Sequence, residues 1–414
     1  MSETLSPPSE VTISMRQHAG DPCEPVVKRG EKVFVGTLIG DSDKRNSAPV
    51  HSSLSGKVRE IKQVPLPDGS FCGAVVIESD GKCAVDPQIK PPEISSKEDF
   101  INAVRNSGIV EPTGEGFPLH LKLDHPEDAK IDLLIINAVE CEPYITSDYR
   151  EIIENTAEIL DGILAVTKYL DIPQTVIGIE NNKPAAVRLL KSLVRNHSDK
   201  ISVHVLKSRY PKGAEKILIA ECTKRTVSAE KLPKDVGCIV MNVSPVSFLS
   251  SYLKTGIPIV SKRITVDGNA VAQPKNVIAP VGTQIKELIA FCGGYSSEPQ
   301  KIISGGPMTG ITLTDDEGFL LKHNNAVLAF DREIAVHAEP TGCIRCGRCV
   351  RACPMSLMPT WLDRLLLTGK IDKLKKESVL SCMECGCCAY VCPAHRHLVQ
   401  SIRLAKEEVL HHGE

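Results

Sequence analysis

Apolar and polar positions alternate in four distinct ways along this chain. From 11 to 86, short apolar stretches (Pro25-Val26-Val27, Val33-Phe34-Val35, Ala74-Val75-Val76-Ile77) are punctuated by Gly30, Gly36, Gly40, Gly56 and Gly69. Brief apolar runs between glycines predict short strands joined by tight turns. A proline-rich link at 87–92 closes this β region, and 98–106 predicts a helix. The unbroken apolar run 131–137 suits a parallel strand covered on both faces. Asp148 and Glu151 have capping-box spacing at the start of a long helix, with Ile152, Ile153, Leu160, Ile163, Leu164 and Leu170 on one side. The pattern continues as strand 175–180, helix 184–195, strand 201–206, helix 214–221 and strand 238–243, an alternation that predicts a doubly wound sheet. From 257 to 295 short strands and turns replace helices, with 263–268 entering a tight Asp-Gly turn. The glycine-rich loop Ser304-Gly305-Gly306-Pro307-Met308-Thr309-Gly310 follows, then an amphipathic helical hairpin at 361–380 and a charged helix at 399–411.

Composition narrows the chemistry. At 414 residues the chain has room for two to four domains. A net charge of -2, 4% aromatic residues and the single Trp361 offer neither a basic patch nor a stacking ladder for nucleic acid. Half of the 16 cysteines lie in two runs near the C-terminus. The others (Cys23, Cys72, Cys83, Cys141, Cys222, Cys238, Cys292 and Cys387) are scattered without a pairing pattern, which fits a reducing compartment. Residues 1–10 are polar, acidic and proline-containing, unlike a signal or transit peptide. No apolar run reaches the roughly 18 residues of a membrane helix, so a soluble protein able to dock on a membrane complex is expected.

The two runs, Cys343-Ile344-Arg345-Cys346-Gly347-Arg348-Cys349-Val350-Arg351-Ala352-Cys353-Pro354 and Cys382-Met383-Glu384-Cys385-Gly386-Cys387-Cys388-Ala389-Tyr390-Val391-Cys392-Pro393, both read C-x-x-C-x-x-C-x-x-x-C-P. That spacing holds [4Fe–4S] clusters, with the fourth cysteine of each run ligating the other cluster. Cys343, Cys346, Cys349 and Cys392 are therefore expected to hold one cluster, and Cys382, Cys385, Cys388 and Cys353 the second. A zinc site would use two cysteine pairs and leave the third cysteine and the proline without a role. Two such clusters imply one-electron transfer. Cys141, between two glutamates, is expected to have a raised pKa and no nucleophilic role.

The order Val27-x-x-Gly30-x-x-Val33-x-x-Gly36, then Ala48-Pro49 and Ser55-Gly56-x-Val58, resembles the barrel-sandwich hybrid of lipoyl and biotinyl carriers, although Lys44 lacks their modification motif. More broadly, Gln17-His18-x-Gly20-x-Pro22, Gly116-Phe117-Pro118, Asn137-Ala138-Val139-Glu140-Cys141-Glu142-Pro143, Tyr210-Pro211-Lys212-Gly213-Ala214-Glu215-Lys216, Ser304-Gly305-Gly306-Pro307-Met308 and both cysteine runs resemble the RnfC family of Rnf electron-transport complexes.

That resemblance implies a multidomain α/β protein. Its parts would be a barrel-sandwich hybrid (1–90), a Rossmann-like FMN/NADH domain akin to that of complex I (95–250), a β-grasp domain (251–325) and a two-cluster ferredoxin-like domain (335–414). It implies an FMN pocket formed by Gly114, Gly116, Phe117, Lys122, Asn137 and Gly213, with Glu140 and Glu142 facing the isoalloxazine and nicotinamide. It implies NADH as substrate, partner subunits in a membrane complex, ferredoxin reached through that complex, and a peripheral place on the cytoplasmic side. The phosphate loop departs from the family pattern at Glu115, as does Ser244-Pro245, where the family has Gly-Thr. Those departures keep a flavin-free relay protein, and a corrinoid reductase, as alternatives.

Overall fold

A computed structural model describes the chain except residues 67–68, 113, 115, 127–128, 229, 336–337 and 412–414. The first region forms two small sheets. One is four-stranded, in the order Glu10–Ser14, Phe71–Ser79, Gly56–Pro65, Lys32–Val33; the other joins Glu24–Pro25, Leu38–Asp41 and Val50–His51. Alternating side chains from both sheets, among them Val11, Ile13, Val33, Ile39, Val58, Val75 and Ile77, close one buried core, as expected of a sandwich. Lys44 lies exposed in the turn after Leu38–Asp41 and pairs with Asp21 at 3.0 Å.

The next region is a parallel sheet in the order Ile201–Leu206, Gln174–Glu180, Leu133–Ala138, Cys238–Asn242. Leu134 and Ile136 enter the core with Ile159, Ile163, Val246 and Leu249 of the helices Thr156–Tyr169 and Val243–Thr255. Leu133 and Ile135 face Leu218 and Ile219 of Glu215–Thr223 on the opposite face. Both faces are thus covered, which is why the central strand reads as unbroken apolar residues. Thr156–Tyr169 lies so close to Val243–Thr255 that a Cβ on Gly162 would collide with the Val246 carbonyl.

The long helix expected from Asp148 is instead two, Ser147–Glu154 and Thr156–Tyr169, broken at Asn155 with φ -125° and ψ 41°. The expected Asp148–Glu151 capping box does not form. Asp148 accepts from Ser244 Oγ, and Glu151 accepts from Ser247 Oγ and from Arg263 Nε at 3.0 Å. Long-range partners took both carboxylates, and Glu140 caps the helix in their place.

A six-stranded sheet follows, in the order Glu3–Thr4, Lys275–Pro280, Ser261–Asp267, Ala326–Phe330, Lys301–Ser304, Ile311–Leu313, packed on the helix Ile285–Phe291. The N-terminal strand of the chain thus joins this third region. Lys322, 1% exposed, pins three regions together. Its Nζ donates to the carbonyls of Pro49 at 2.5 Å and Gly108 at 2.9 Å, and its backbone N–H donates to Gln17 Oε1 at 2.9 Å. Burial brings its ammonium down to about 7.

In the C-terminal region, the helices Pro359–Leu367 and Ile371–Lys376 form the expected hairpin and pack through Leu362, Leu365 and Leu374 on Ile402, Ala405 and Val409 of Leu398–His411. This region docks on the others at three points. Tyr210 Oη donates to the Cys385 carbonyl at 2.6 Å, Arg403 Nη2 donates to the Thr309 carbonyl at 3.3 Å, and Gly386 sits against the Met308 carbonyl.

Candidate functional site

In open α/β sheets, ligands bind beyond the carboxyl ends of the strands, where strand order reverses direction. Here that point lies between Leu133–Ala138 and Cys238–Asn242, whose ends pair Asn137 with Asn242. Asn137 is 5% exposed; its Nδ2 donates to Asn242 Oδ1 at 2.7 Å and to the Gly213 carbonyl at 2.9 Å, and its Oδ1 accepts from the Val139 N–H at 3.2 Å. Asn137 thus fixes the Gly213 turn and the neighbouring strand end. A side chain on Gly213 would press on the Val139 carbonyl, 3.0 Å from a Cβ, and on Cys141 Sγ.

The network continues outward. Asn242 Nδ2 donates to Glu111 Oε2 at 2.8 Å, Glu111 Oε1 accepts from Lys122 Nζ at 3.0 Å, and Lys122 also pairs with Glu215. Burial raises the Glu111 carboxyl, while the two carboxylates raise Lys122 against its own burial. Lys122 is therefore an ion-pair partner inside the crevice wall.

The loop ahead of it is held by the Glu111 N–H to Phe117 carbonyl bond at 3.0 Å and the Ala19 N–H to Gly116 carbonyl bond at 3.1 Å. Gly114 (φ +59°) and Gly116 (φ +81°) have left-handed backbones that suit glycine, and nothing lies within 4 Å of a Cβ on Gly114. Phe117 is half-exposed, and Pro118 starts the one-turn helix Leu119–Leu123. Glu115, where the phosphate loop departs from the family pattern, lies outside the described residues.

Glu140 and Glu142 leave the Leu133–Ala138 strand in opposite service. Glu140 Oε1 accepts from the Asp148 N–H at 2.8 Å, and its Oε2 pairs with Lys183 Nζ at 2.5 Å. Burial raises its carboxyl to about 7. Glu142 accepts from the Met308 N–H at 3.1 Å, the Thr309 N–H at 3.0 Å and the Thr309 hydroxyl at 2.6 Å. It thereby fixes the 304–310 loop on which Gly386 rests. Both carboxylates have protein partners; one orients a helix, the other the contact with the cysteine region. Cys141 is pushed up to about 11 by burial, in keeping with a thiol that stays protonated.

The second cysteine loop packs as the spacing requires. Cys382, Cys385 and Cys388 line one cleft together with Cys353 of the first run, the four residues expected to share a cluster. In the other set, Cys343 Sγ lies 3.4 Å from Thr360 Oγ1, the Cys349 thiol meets the Thr360 backbone, and Cys392 packs against Cys349. Cys346 is exposed on the same loop. Among the described residues, no group of three or more His, Cys, Asp or Glu side chains is drawn tightly enough for a single metal ion. A [4Fe–4S] cube spreads its four thiolates over four different irons, so this wider convergence fits a cube. The open Gly114 backbone at the strand ends likewise fits a phosphate approaching close to the chain.

Comparison with known proteins agrees. Residues 2–82 match the RnfC barrel sandwich hybrid domain, 104–250 the Nuo51 FMN-binding domain, 263–312 the SLBB domain and 335–393 a 4Fe-4S dicluster domain. The chain is 40% identical to the RnfC-type component of the proton-translocating ferredoxin:NAD(+) oxidoreductase complex of Clostridium ljungdahlii, over 98% of this chain and 90% of the relative. The chain belongs to the RnfC family. The Na(+)-translocating counterpart from Acetobacterium woodii is 39% identical over 97% of this chain and 91% of its own length. The corresponding component of the Rhodobacter capsulatus ion-translocating oxidoreductase complex is 34% identical, covering 98% and 79%. Two structures of an NAD+-reducing [NiFe]-hydrogenase, H2-reduced and air-oxidized, share the fold at TM-scores of 0.51 and 0.53 with 16% and 15% identity. They cover 76% and 74% of this chain, which spans 62% and 63% of theirs, under two thirds in each case. Membership of the RnfC family carries an FMN-binding domain and a two-cluster iron–sulfur domain in one chain.

Several residues of this network lie outside the set that the sequence picked out: Asn242, Glu111, Glu215, Tyr210 and Lys262. Asn242 had a visible signal, because both central strands are apolar runs ending in asparagine. Lys262 had none. Burial lowers its ammonium to about 8, amid the charges of Asp148, Glu111 and Glu151. It also acts on His323, the residue that faces Gly116.

Proposed function

We propose that this chain is the peripheral electron-input and electron-output subunit of an Rnf-type membrane complex, exchanging electrons between NADH and partner subunits. The observation that carries this reading is the physical link between crevice and cysteines. The segment from Asn137 to Glu142 forms the crevice wall at one end and holds the Met308–Thr309 turn at the other. That turn and Tyr210, three residues before Gly213, touch the Cys385–Gly386 loop.

In this reading the backbone of Gly114, Gly116 and Phe117 receives the FMN phosphate, with Lys262 supplying positive charge from the neighbouring sheet. Asn137 and Asn242 hold Gly213 and the strand ends in position beneath the ring, and Glu140 and Glu142 keep the flanking segments in place. Bound FMN supplies the conversion between two-electron exchange with NADH and one-electron exchange with iron–sulfur clusters. The eight motif cysteines hold those clusters and lead charge out of the crevice.

Ser244 and Pro245 do not weigh against this. Ser244 donates to Asp148, and Pro245 sits in the first turn of Val243–Thr255, where an amide N–H has no helical partner. No helix among the described residues is long and apolar enough to cross a membrane, so the chain would meet ferredoxin and the coupling ion through partner subunits, on the cytoplasmic face.

Anaerobically reconstituted protein should retain FMN near one per chain and reduce a dye with NADH. Asn137→Ala should weaken FMN retention by about 1–3 kcal/mol, the cost of orphaning buried hydrogen-bond partners. Wild-type protein that never retains FMN and stays inert toward NADH would overturn the reading.

A further inference from the structure

The two cysteine loops have the same spacing and opposite surroundings. In the second, Glu384 pairs with Arg403 at 2.8 Å and with Lys406, Gly386 is buried against Met308, and the Cys385 carbonyl accepts from Tyr210. This loop faces the crevice. Aligned on the cysteines, Arg345, Arg348 and Arg351 of the first loop occupy the positions of Glu384, Cys387 and Tyr390.

All three arginines are exposed, and none has a carboxylate partner among the described residues. Beside them Ile344 is 66% exposed, and Cys343 and Cys346 reach the surface. The whole region is cationic: from 340 to 411, eleven Lys and Arg face six Asp and Glu, in a chain whose net charge is -2. A side chain as apolar as Ile344 next to unpaired guanidinium groups has the make-up of a recognition surface. Arginine is enriched at protein interfaces, and its unpaired charge steers partners of opposite sign.

We propose that the loop 343–351 is the docking surface for an acidic iron–sulfur electron-carrier protein. Carboxylates of that protein would meet Arg345, Arg348 and Arg351, and an apolar contact would cover Ile344. The proposal rests on the electron-transfer reading above and adds the exit face and the charge of what meets it. A membrane surface fits less well. Anionic headgroups would satisfy the arginines, but they would place lipid where the exposed Cys343 and Cys346 bring an electron within reach of a protein partner.

The test uses the full chain, reconstituted with iron, sulfide and FMN, and a purified acidic two-[4Fe–4S] ferredoxin as probe. Affinity is measured directly by biolayer interferometry at several salt concentrations. Transfer is measured as NAD+ reduction, in which two electrons from reduced ferredoxin and one proton from solvent turn one NAD+ into NADH. The triple variant R345E/R348E/R351E should weaken binding and slow transfer roughly tenfold or more at low salt, and the deficit should shrink as salt screens the pair. The matching triple lysine variant should recover most of the rate. Iron content and NADH-driven reduction of dichlorophenolindophenol should stay unchanged. Unaltered affinity and salt slope in the glutamate variant would overturn the proposal. So would binding of wild-type protein to phosphatidylglycerol vesicles that the variant loses while ferredoxin binding stays intact. If wild-type protein fails to reduce the dye, the electron-transfer reading fails, and the binding titration still decides the docking surface.

Discussion

The two halves of the cysteine region obey one spacing rule and live in different environments. The 382–388 loop is partly buried, its acidic residue Glu384 is neutralised from within the region, and a tyrosine hydroxyl holds its backbone. The 343–349 loop is largely exposed and cationic. Spacing determines what a loop can hold, because three thiolates must reach one cube. The residues between the cysteines determine what the loop faces. That division gives the chain a direction, with an inner loop toward the nucleotide crevice and an outer loop toward partners.

The largest expected effect breaks the equivalence of the loops. Cys388→Ser and Cys343→Ser should each lower iron from about eight to about four per chain, since each removes one cube. Their electronic consequences should differ. With Cys388→Ser, NADH should no longer reduce the remaining cluster within the wild-type turnover time, whereas with Cys343→Ser the inner cluster should remain NADH-reducible, as read by electron paramagnetic resonance. Equal loss in both variants would remove the directional reading.

A smaller effect is expected at the contact between crevice and inner loop. Glu142→Gln replaces charge-assisted bonds to the Met308 and Thr309 N–H groups with weaker ones, a loss of about 1–2 kcal/mol. It should slow NADH-driven cluster reduction several-fold, measured by stopped flow, without altering iron content. Smaller still, Tyr210→Phe removes one hydroxyl bond to the Cys385 carbonyl, about 1 kcal/mol. Burial raises the pKa of that phenol, so the hydroxyl is a donor throughout the working pH range, and the deficit should not vary with pH.

Much of this organisation was legible in the sequence because it rests on local rules. The cysteine runs name their own partners, and Cys353 does join Cys382, Cys385 and Cys388 around one cleft. The apolar run at 131–137 predicted a strand buried on both faces, and Leu133–Ala138 is one. The motif stretches led to the correct end of the sheet, where Asn137 and Gly213 meet.

The rest depends on contacts between residues far apart in the chain, which spacing does not encode. The Asp148–Glu151 box looked like a cap, yet Ser244, Ser247 and Arg263 claimed both side chains from about a hundred residues away. Lys122 resembled a ligand-binding lysine until Glu111 and Glu215 closed around it. Lys322, which no local pattern singles out, holds three regions together through two carbonyls.

The central claim is that the crevice bounded by Asn137, Asn242 and Gly213 feeds the inner cysteine loop first. Rapid mixing of NADH with the anaerobic, FMN- and iron-loaded chain, followed by freeze-quench electron paramagnetic resonance, tests it most directly. The account predicts that the cluster lost in Cys388→Ser is reduced before the cluster lost in Cys343→Ser. Clusters that stay oxidised under excess NADH, or an outer cluster reduced first, would contradict it.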